Sequence, residues 1–464
     1  MLDKNLAHDV LTAAMATGGA FAEIFVEETA RNVTTLVNNV VELSRSGLNY
    51  GVGIRIFDGT NAVYAYTNDT SRESLLAVAK EAAAAVKTKN SGKINDFTVL
   101  NFAKINPMGI AHNSVPRTHV VDMLKQAGNA AYAYNKEVTQ LMSQYRDTLS
   151  HVLICNTDGT WAEDTRNYTR MWIEAVATAD NDKQTMFKSK GGQAGFEVYD
   201  NHDWAAWGAS AAEGAVKMLH AKYAPGGKYP VVIANGTGAV LLHEACGHSL
   251  EAEPAAKDAS EFADKMGQQI ANEIVTVIDD GTLANGNWGS MNIDDEGEAP
   301  RKNVLVENGI LKSFMVDKLN GLRLGMESTG NARRESYRFA PTSRMTNTYI
   351  ANGTSKFDEI IGATEYGLYA KEIGGGSVDP ATGEFNFGVE EAYMIRDGKL
   401  AEPVRGASLI GKGAEVMAGI DMVGNDFLLE GEGSCGSSSG WVPTSEGQPT
   451  IRVDKMTVGG RSAE

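Results

Sequence analysis

Apolar residues recur at helical spacing near the start of the chain. Leu6, Val10, Leu11 and Ala14 share one face, and Gly18 is the expected stop. The period then changes. "AFAEIFVEET", "NVTTLVNNVVEL" and "YGVGIRIFDGTNAVYAYT" are rich in β-branched and aromatic residues and read as strands, with "DGTN" as a hairpin turn. Thr70 and Glu73 have the spacing of a capping box ahead of "SLLAVAKEAAAAV". A helix is expected over "RTHVVDMLKQAGNAAYAY", then strands through "VTQLMSQYRD", "LSHVLICNT" and "RMWIEAVATA". "WAAWGASAAEGAVKMLHAKYA" closes this half as a helix, and the "PGGKYP" after it cannot continue one.

The second half is dominated by short strands and glycine turns, as in "KNVLVENGILKSFMV", "EAYMIRDGKLAEPV" and "PTIRVDKMTVGG". "ENG" and "RDG" separate apolar runs and predict hairpins. Helices and strands that are partly segregated, with many hairpins, predict an α+β fold of two domains. Residues 1–224 are expected to form a mixed α/β layer domain. Residues 225–464 are expected to form a domain of mostly antiparallel sheet.

Composition narrows the function. A chain of 464 residues with 42% hydrophobic and 22% charged residues is an ordinary globular protein, long enough for a large core. The net charge of −17, with no block of lysine or arginine, argues against direct nucleic-acid binding. No apolar run is long enough to cross a bilayer, so no membrane partner is expected. The amino terminus lacks a basic start followed by an apolar block, which predicts a cytoplasmic protein. Three cysteines, Cys155, Cys246 and Cys435, cannot make a disulfide framework, and Cys155 in "HVLIC" is expected to be buried.

The candidate chemistry lies in "GTGAVLLHEACGHSLEAEP", which places His243, Glu244 and His248 within six residues. Imidazoles suit a divalent zinc ion, and a catalytic zinc usually has three protein ligands. Five residues apart on a regular helix, however, two side chains diverge by roughly 140°. A π-bulge would bring them together, and Gly247 supplies backbone freedom for one. Spacing alone leaves a metal site and a hydrogen-bonded polar cluster equally open. For a third ligand, "LLEGEGSCGSSSGWVP" offers Cys435 in a flexible loop, although an incidental thiol fits that loop as well. Cys246 is a rival, but a distorted helix should turn it into the core. Asp294, Asp295 and Glu296 in "NIDDEGEAP" are further candidates, with a solvated acidic turn the expectation. "EIGGGSVDPATGEFNFG" reads as a tight turn or a close backbone approach, and the arginines of "STGNARRESYRFAPTSRMTNTYI" as buried ion pairs or substrate contacts.

Taken in order, "HEACGHSLE", "DDEG…RKNVLVENGILKSFMVDKLNG", "GNARRESYRFAPTSRMTNTYI", "GGGSVDPATGEFNF" and "CG…VPTSEGQPTIRVDKMTVGG" resemble the TldD/PmbA family. "AEIFVEE…GLNYGVGIRIFDGTNAVYAYTND" is similar to its amino-terminal region, so the resemblance spans nearly the whole chain. Members are called modulators of DNA gyrase and are linked to proteolysis of small or unfolded peptides. The His-Glu-x-x-x-His motif points to the TldD-like branch. By that resemblance His243, His248 and Cys435 hold zinc, and Glu244 is the base that activates a zinc-bound water. The resemblance also implies unstructured peptide substrates and a dimer, either of identical chains or with a PmbA/TldE-like subunit. Two departures stand out: "LEAEP" where the family often has Leu-Glu-Gly-Asp, and "GSSSGW" after the cysteine where it has a lysine-containing segment.

Overall fold

The computed structural model describes residues 2–89, 92–379 and 382–461. Helix α1 (Lys4–Ala14) is capped by Asp3, whose carboxylate accepts the Leu6 N–H at 2.9 Å. It ends at Met15, short of Gly18, which instead turns the chain with φ +138°. A Cβ on Gly18 would sit 1.7 Å from the Thr88 carbonyl oxygen, so both conformation and space demand glycine. β1 (Phe21–Val37) and β2 (Val40–Asp58) form one long hairpin. The run expected as a single strand, "NVTTLVNNVVEL", is split by Asn38 and Asn39, both at positive φ, which asparagine tolerates. β3 (Asn61–Thr67) follows the predicted "DGTN" turn. Helix α2 (Arg72–Ala84) is capped by Ser71, which accepts the Ser74 N–H, so the expected Thr70–Glu73 box does not form.

The same sheet takes in β4 (Thr98–Leu100), β5 (Val138–Asn156), β6 (Thr160–Ala179) and β7 (Asp182–Gly192). Its order is β3-β2-β1-β5-β6-β4, with β7 also on β6. Two runs expected as separate strands, "VTQLMSQYRD" and "LSHVLICNT", are one continuous β5. One end of the sheet packs Ile24, Ile54 and Leu153 against α1 and α2. The other packs Tyr145 and Met171 against α3 (Arg117–Tyr134), as predicted, and α4 (Trp204–His220), which ends four residues before the expected Ala224 because Lys222–Tyr223 pair as a strand. Phe25, Val152 and Ile154 pack instead on Ile293 and Tyr337 of the second half.

From residue 222 onward the strands form an eight-stranded and a six-stranded sheet, mostly antiparallel, plus a two-stranded ribbon. The α+β expectation is met. "ENG" and "RDG" are both hairpin turns, with Asn308–Gly309 and Asp397–Gly398 at positive φ. "EIGGGSVDPATGEFNFG" joins the hairpin strands Tyr366–Val378 and Glu384–Arg396, although its Pro380 and Ala381 lie outside the described residues. The segment with His243 packs Leu241, Leu242 and Ala245 into a core drawn from both sheets, including Val231, Phe385 and Ile350.

The acidic turn corrects the sequence reading. Asp294, Asp295 and Glu296 are buried, not solvated. Asp294 accepts the backbone N–H groups of Glu296, Glu298 and Ala332. Asp295 takes Arg166 at 2.6 Å, and Glu296 takes Arg55 at 2.5 Å. Glu23 then accepts from both Arg55 (2.8 Å) and Arg334 (2.6 Å). Burial pushes Glu296 up to about 7, an effect Arg55 only partly offsets. This ionic network fastens the first sheet to the second half of the chain. Removing one member of a buried pair typically costs about 3–5 kcal/mol, because the other is left desolvated. Arg55→Leu should therefore lower the unfolding free energy by about that amount in a denaturant titration. A loss under about 1 kcal/mol would mean that the network does not hold the two halves together.

Candidate metal centre

The strand Gly227–Ile233 runs into a tight turn at Gly236 and then into the helical segment of the motif. After one α-helical turn, residues His243–Gly247 adopt π-helical geometry and His248–Leu250 tighten into a 3₁₀ turn. The inserted residue brings the two rings onto one side, with centroids 5.3 Å apart and planes at 88°. Gly247 contributes differently from expectation. Its dihedrals are ordinary helical values (φ −57°, ψ −48°), but a Cβ would lie 2.3 Å from Met345 Sδ. Glycine is needed there for space.

Cys435 lies on a strand, Leu428–Ser437, where a flexible loop was expected, and it is buried. Its Sγ is 3.2 Å from His243 Nε2 and 3.2 Å from His248 Nε2. The three donor atoms lie within 4.8 Å of one another. A tetrahedral zinc with one sulfur and two nitrogen ligands needs sulfur–nitrogen separations of about 3.5 Å, so small side-chain shifts would admit one. The donor set and its spacing fit that metal. Cys246 is buried in the core, as expected, and burial pushes its thiol up. The acidic turn stays outside the cluster among the described residues.

Charge couples these three groups. Burial opposes ionisation of Cys435, but the imidazoles of His243 and His248 outweigh it and bring the thiol down to about 5. Burial likewise depresses His243, yet the neighbouring thiolate raises it to about 9. His248 is raised well above its usual value against the same burial, chiefly by Glu251, whose Oε2 is 3.0 Å from Nδ1. That contact fixes which nitrogen faces Cys435. Glu251 also accepts the Met345 N–H, and burial is overcome there by His248, so its carboxyl is lowered. Arg344, fully buried, donates to the carbonyls of Cys435 (2.6 Å) and Gly440 (2.9 Å) and clamps the hairpin. Glu244 Oε2 stands 3.8 Å from His248 Nε2, with a third of its side chain exposed.

Arg344 is one of the arginines expected in buried ion pairs and lies 3.5 Å from Glu251, whereas Glu251 and Glu446 escaped the sequence reading. Glu251 sits three residues after His248, a helical spacing that could have flagged it. Glu446 Oε2 is 3.9 Å from His243 Nδ1, and burial pushes it up to about 7. It comes from a distant strand, Gly440–Gln448, with no local signal.

Three stretches match the PmbA/TldA metallopeptidase family: domain 1 over residues 22–86, the central domain over 111–219 and the C-terminal domain over 226–460. The "Metalloprotease TldD homolog" of Buchnera aphidicola is 36% identical, covering 95% of this chain and 92% of that one. The Haemophilus influenzae protein of the same name is 37% identical, covering 95% and 93%. A "Zinc metalloprotease TldD homolog" of Saccharolobus solfataricus is 30% identical over 57% of this chain and 58% of its own. Among solved structures, a candidate modulator of a DNA gyrase from Thermotoga maritima aligns with TM-score 0.80 at 21% identity, covering 98% of this chain and all of that one. TldE from Thermococcus kodakarensis aligns with TM-score 0.74 at 19% identity, covering 98% and 100%. At these identities the structures establish the fold.

The electrostatics of the cluster can be read directly. In metal-free protein, the ultraviolet thiolate absorbance of Cys435 should persist on acidification and disappear as pH falls through about 5. Cys155 and Cys246, both pushed up by burial, should stay silent at neutral pH. In His243→Ala the midpoint should move upward, towards the ordinary cysteine value. An unchanged midpoint would show that His243 does not ionise the thiol.

Proposed function

The chain belongs to the PmbA/TldD metallopeptidase family, and on that premise we propose that it is a zinc-dependent peptidase of the TldD type. The observation that carries the proposal is the convergence of His243, His248 and Cys435 beside Glu244. Bound zinc would supply Lewis acidity, polarising a peptide carbonyl and making water easier to deprotonate. His243 and His248 present Nε2 and Cys435 its thiolate, while Glu251 orients His248 and Arg344 holds the Cys435 hairpin. Glu244 is the proton carrier. Its partly exposed carboxylate takes a proton from the attacking water and passes it to the leaving nitrogen.

Small or unstructured peptides are the proposed substrates. The Cys435 strand is the last strand of the six-stranded sheet, and its outer edge can pair with an extended chain. Main-chain pairing asks little of sequence, whereas a folded protein would first have to unfold locally. Relatives named metalloproteases support the activity, and one named a zinc metalloprotease supports the metal. Dimerisation, with a second copy or a TldE-like subunit, is part of the same proposal, supported by the likeness to TldE. So is a division between residues 224 and 225, supported by the gap between the matched segments. A cytoplasmic location also belongs to it; no helix among the described residues is long and apolar enough to cross a membrane.

The competing reading is a binding protein whose metal only holds the fold. Structural zinc is usually closed by four protein ligands, and three donors converge here among the described residues. That count favours catalysis. Glu244→Gln removes the proton acceptor and leaves the three donors in place. Zinc content should stay near one per chain while turnover of a flexible peptide falls by about two orders of magnitude or more. Retained activity would refute the role of Glu244. Loss of the metal in this variant would show instead that Glu244 is a ligand.

A further inference from the structure

A cavity of about 530 Å³ lies between the first sheet and the hairpin that carries Cys435. Ser434, the immediate neighbour of Cys435, lines it, together with Trp441 and Pro443 from the paired strand. Trp288 forms another part of the wall and anchors there by donating from Nε1 to the Gly433 carbonyl at 2.7 Å.

The charges in this wall are unevenly matched. Its acids are already engaged. Glu27 accepts the Thr29 hydroxyl at 2.6 Å and the Tyr337 N–H at 2.8 Å. Asp147 accepts from Asn32 at 2.7 Å and lies 3.5 Å from Arg117. Asp295 is held by Arg166 and by the Arg334 N–H, and Glu335 by the Trp441 N–H. Arg166 and Arg334, also in the wall, are neutralised by Asp295, Asp164 and Glu23.

Arg31, Arg45, Arg146 and Arg333 differ. Among the described residues, none of the four has a carboxylate within 4.0 Å. Arg333 is only 4% exposed, and its guanidinium donates to the Met345 carbonyl at 2.6 Å. Arg146 stands over Trp288, 5.8 Å from the ring centroid, with no ion pair. Burial, helped by the nearby charges of Arg170 and Arg31, pulls Arg146 down to about 10. Burial also lowers Arg333. Glu432 and Asp295 offset these effects only in part, and buried cations with no carboxylate in direct contact are costly in a resting protein and concentrate where an anion binds. Planar guanidiniums beside an indole suit a carboxylate, which accepts paired N–H bonds.

We propose that this cavity is the carboxylate pocket of the peptide site, seating an α-carboxylate or an acidic side chain on Arg146 and Arg333, with Arg31 at its mouth. The proposal rests on the peptidase reading for the molecule that bears the carboxylate. Ser434 and Cys435 point to opposite faces of their strand, so a chain laid along its edge sends alternate side chains towards the metal cluster and towards the pocket. The enzyme then prefers peptides that carry a negative charge at one fixed side of the bond it cuts, although the protein as a whole is strongly acidic.

The test uses full-length Glu244→Gln protein and one short flexible labelled peptide in three forms, read by fluorescence anisotropy. One form has a free carboxyl terminus and no acidic residue, one is amidated, and one is amidated with a single internal aspartate. At least one carboxylate form should bind about tenfold tighter than the neutral amide, as charge-assisted hydrogen bonds give. The form that gains identifies the source of the carboxylate. Arg146→Gln should abolish the preference without weakening the neutral peptide. Arg31→Gln, at an exposed strand position, should reduce it and carries the test if Arg146→Gln fails to fold. Equal binding of all three forms, or a preference that survives both substitutions, overturns the pocket. Cleavage of the neutral peptide by the unmodified enzyme is followed separately. Cleavage without carboxylate preference would sink the pocket alone, whereas carboxylate-dependent binding with no cleavage of any form would sink the peptidase reading alone.

Discussion

One extra residue in a helical turn carries the candidate site. With α-helical geometry throughout, His243 and His248 would point roughly 140° apart and could not meet one thiol. The π-helical turn over His243–Gly247 closes that angle, and both Nε2 atoms reach 3.2 Å from Cys435 Sγ. The distortion is held by packing on several sides. Met345 fills the space that a side chain at Gly247 would occupy, while Leu241, Leu242 and Ala245 are buried in the core shared by the two sheets.

The surrounding electrostatics follow from that meeting. Two imidazoles on one thiolate form a buried cluster in which each partner stabilises the other's charge. A divalent metal binds such donors by displacing protons: the thiolate is already in its binding form, and the two imidazoles give up their protons as the metal enters. Glu251 and Arg344 tie the motif segment to the Cys435 hairpin from behind. Farther out, Arg55, Arg334 and Glu296 fix the first sheet against the second half, which sets the cavity beside the hairpin.

Much of this was legible in the sequence wherever the determinants are local. The i, i+5 histidines required a bulged helix, and the turn pairs Asn308–Gly309 and Asp397–Gly398 announced their hairpins. The α3 and α4 helices followed from periodicity and a proline-glycine break. Errors arose where a distant contact decides. "NIDDEGEAP" looked solvated because the arginines that bury it, Arg55 and Arg166, lie more than a hundred residues away. "GEGSCGSSSG" looked like a loop because its pairing with Gly440–Gln448 and the grip of Arg344 are invisible to composition. The Thr70–Glu73 box fails because the backbone starts the helix one residue later, with Ser71 as its cap. Cys435 as the third donor came from resemblance, since spacing cannot join residues 187 positions apart.

The central claim is that two imidazoles and one thiolate of this chain hold a single metal with room left for water and substrate. Zinc-edge X-ray absorption on the full-length zinc-loaded protein tests it most directly. One sulfur at about 2.3 Å and two imidazole nitrogens at about 2.0–2.1 Å are expected, with the remaining position filled by a light oxygen scatterer. Two sulfurs, which would bring in Cys246, or no sulfur at all, would contradict the assignment.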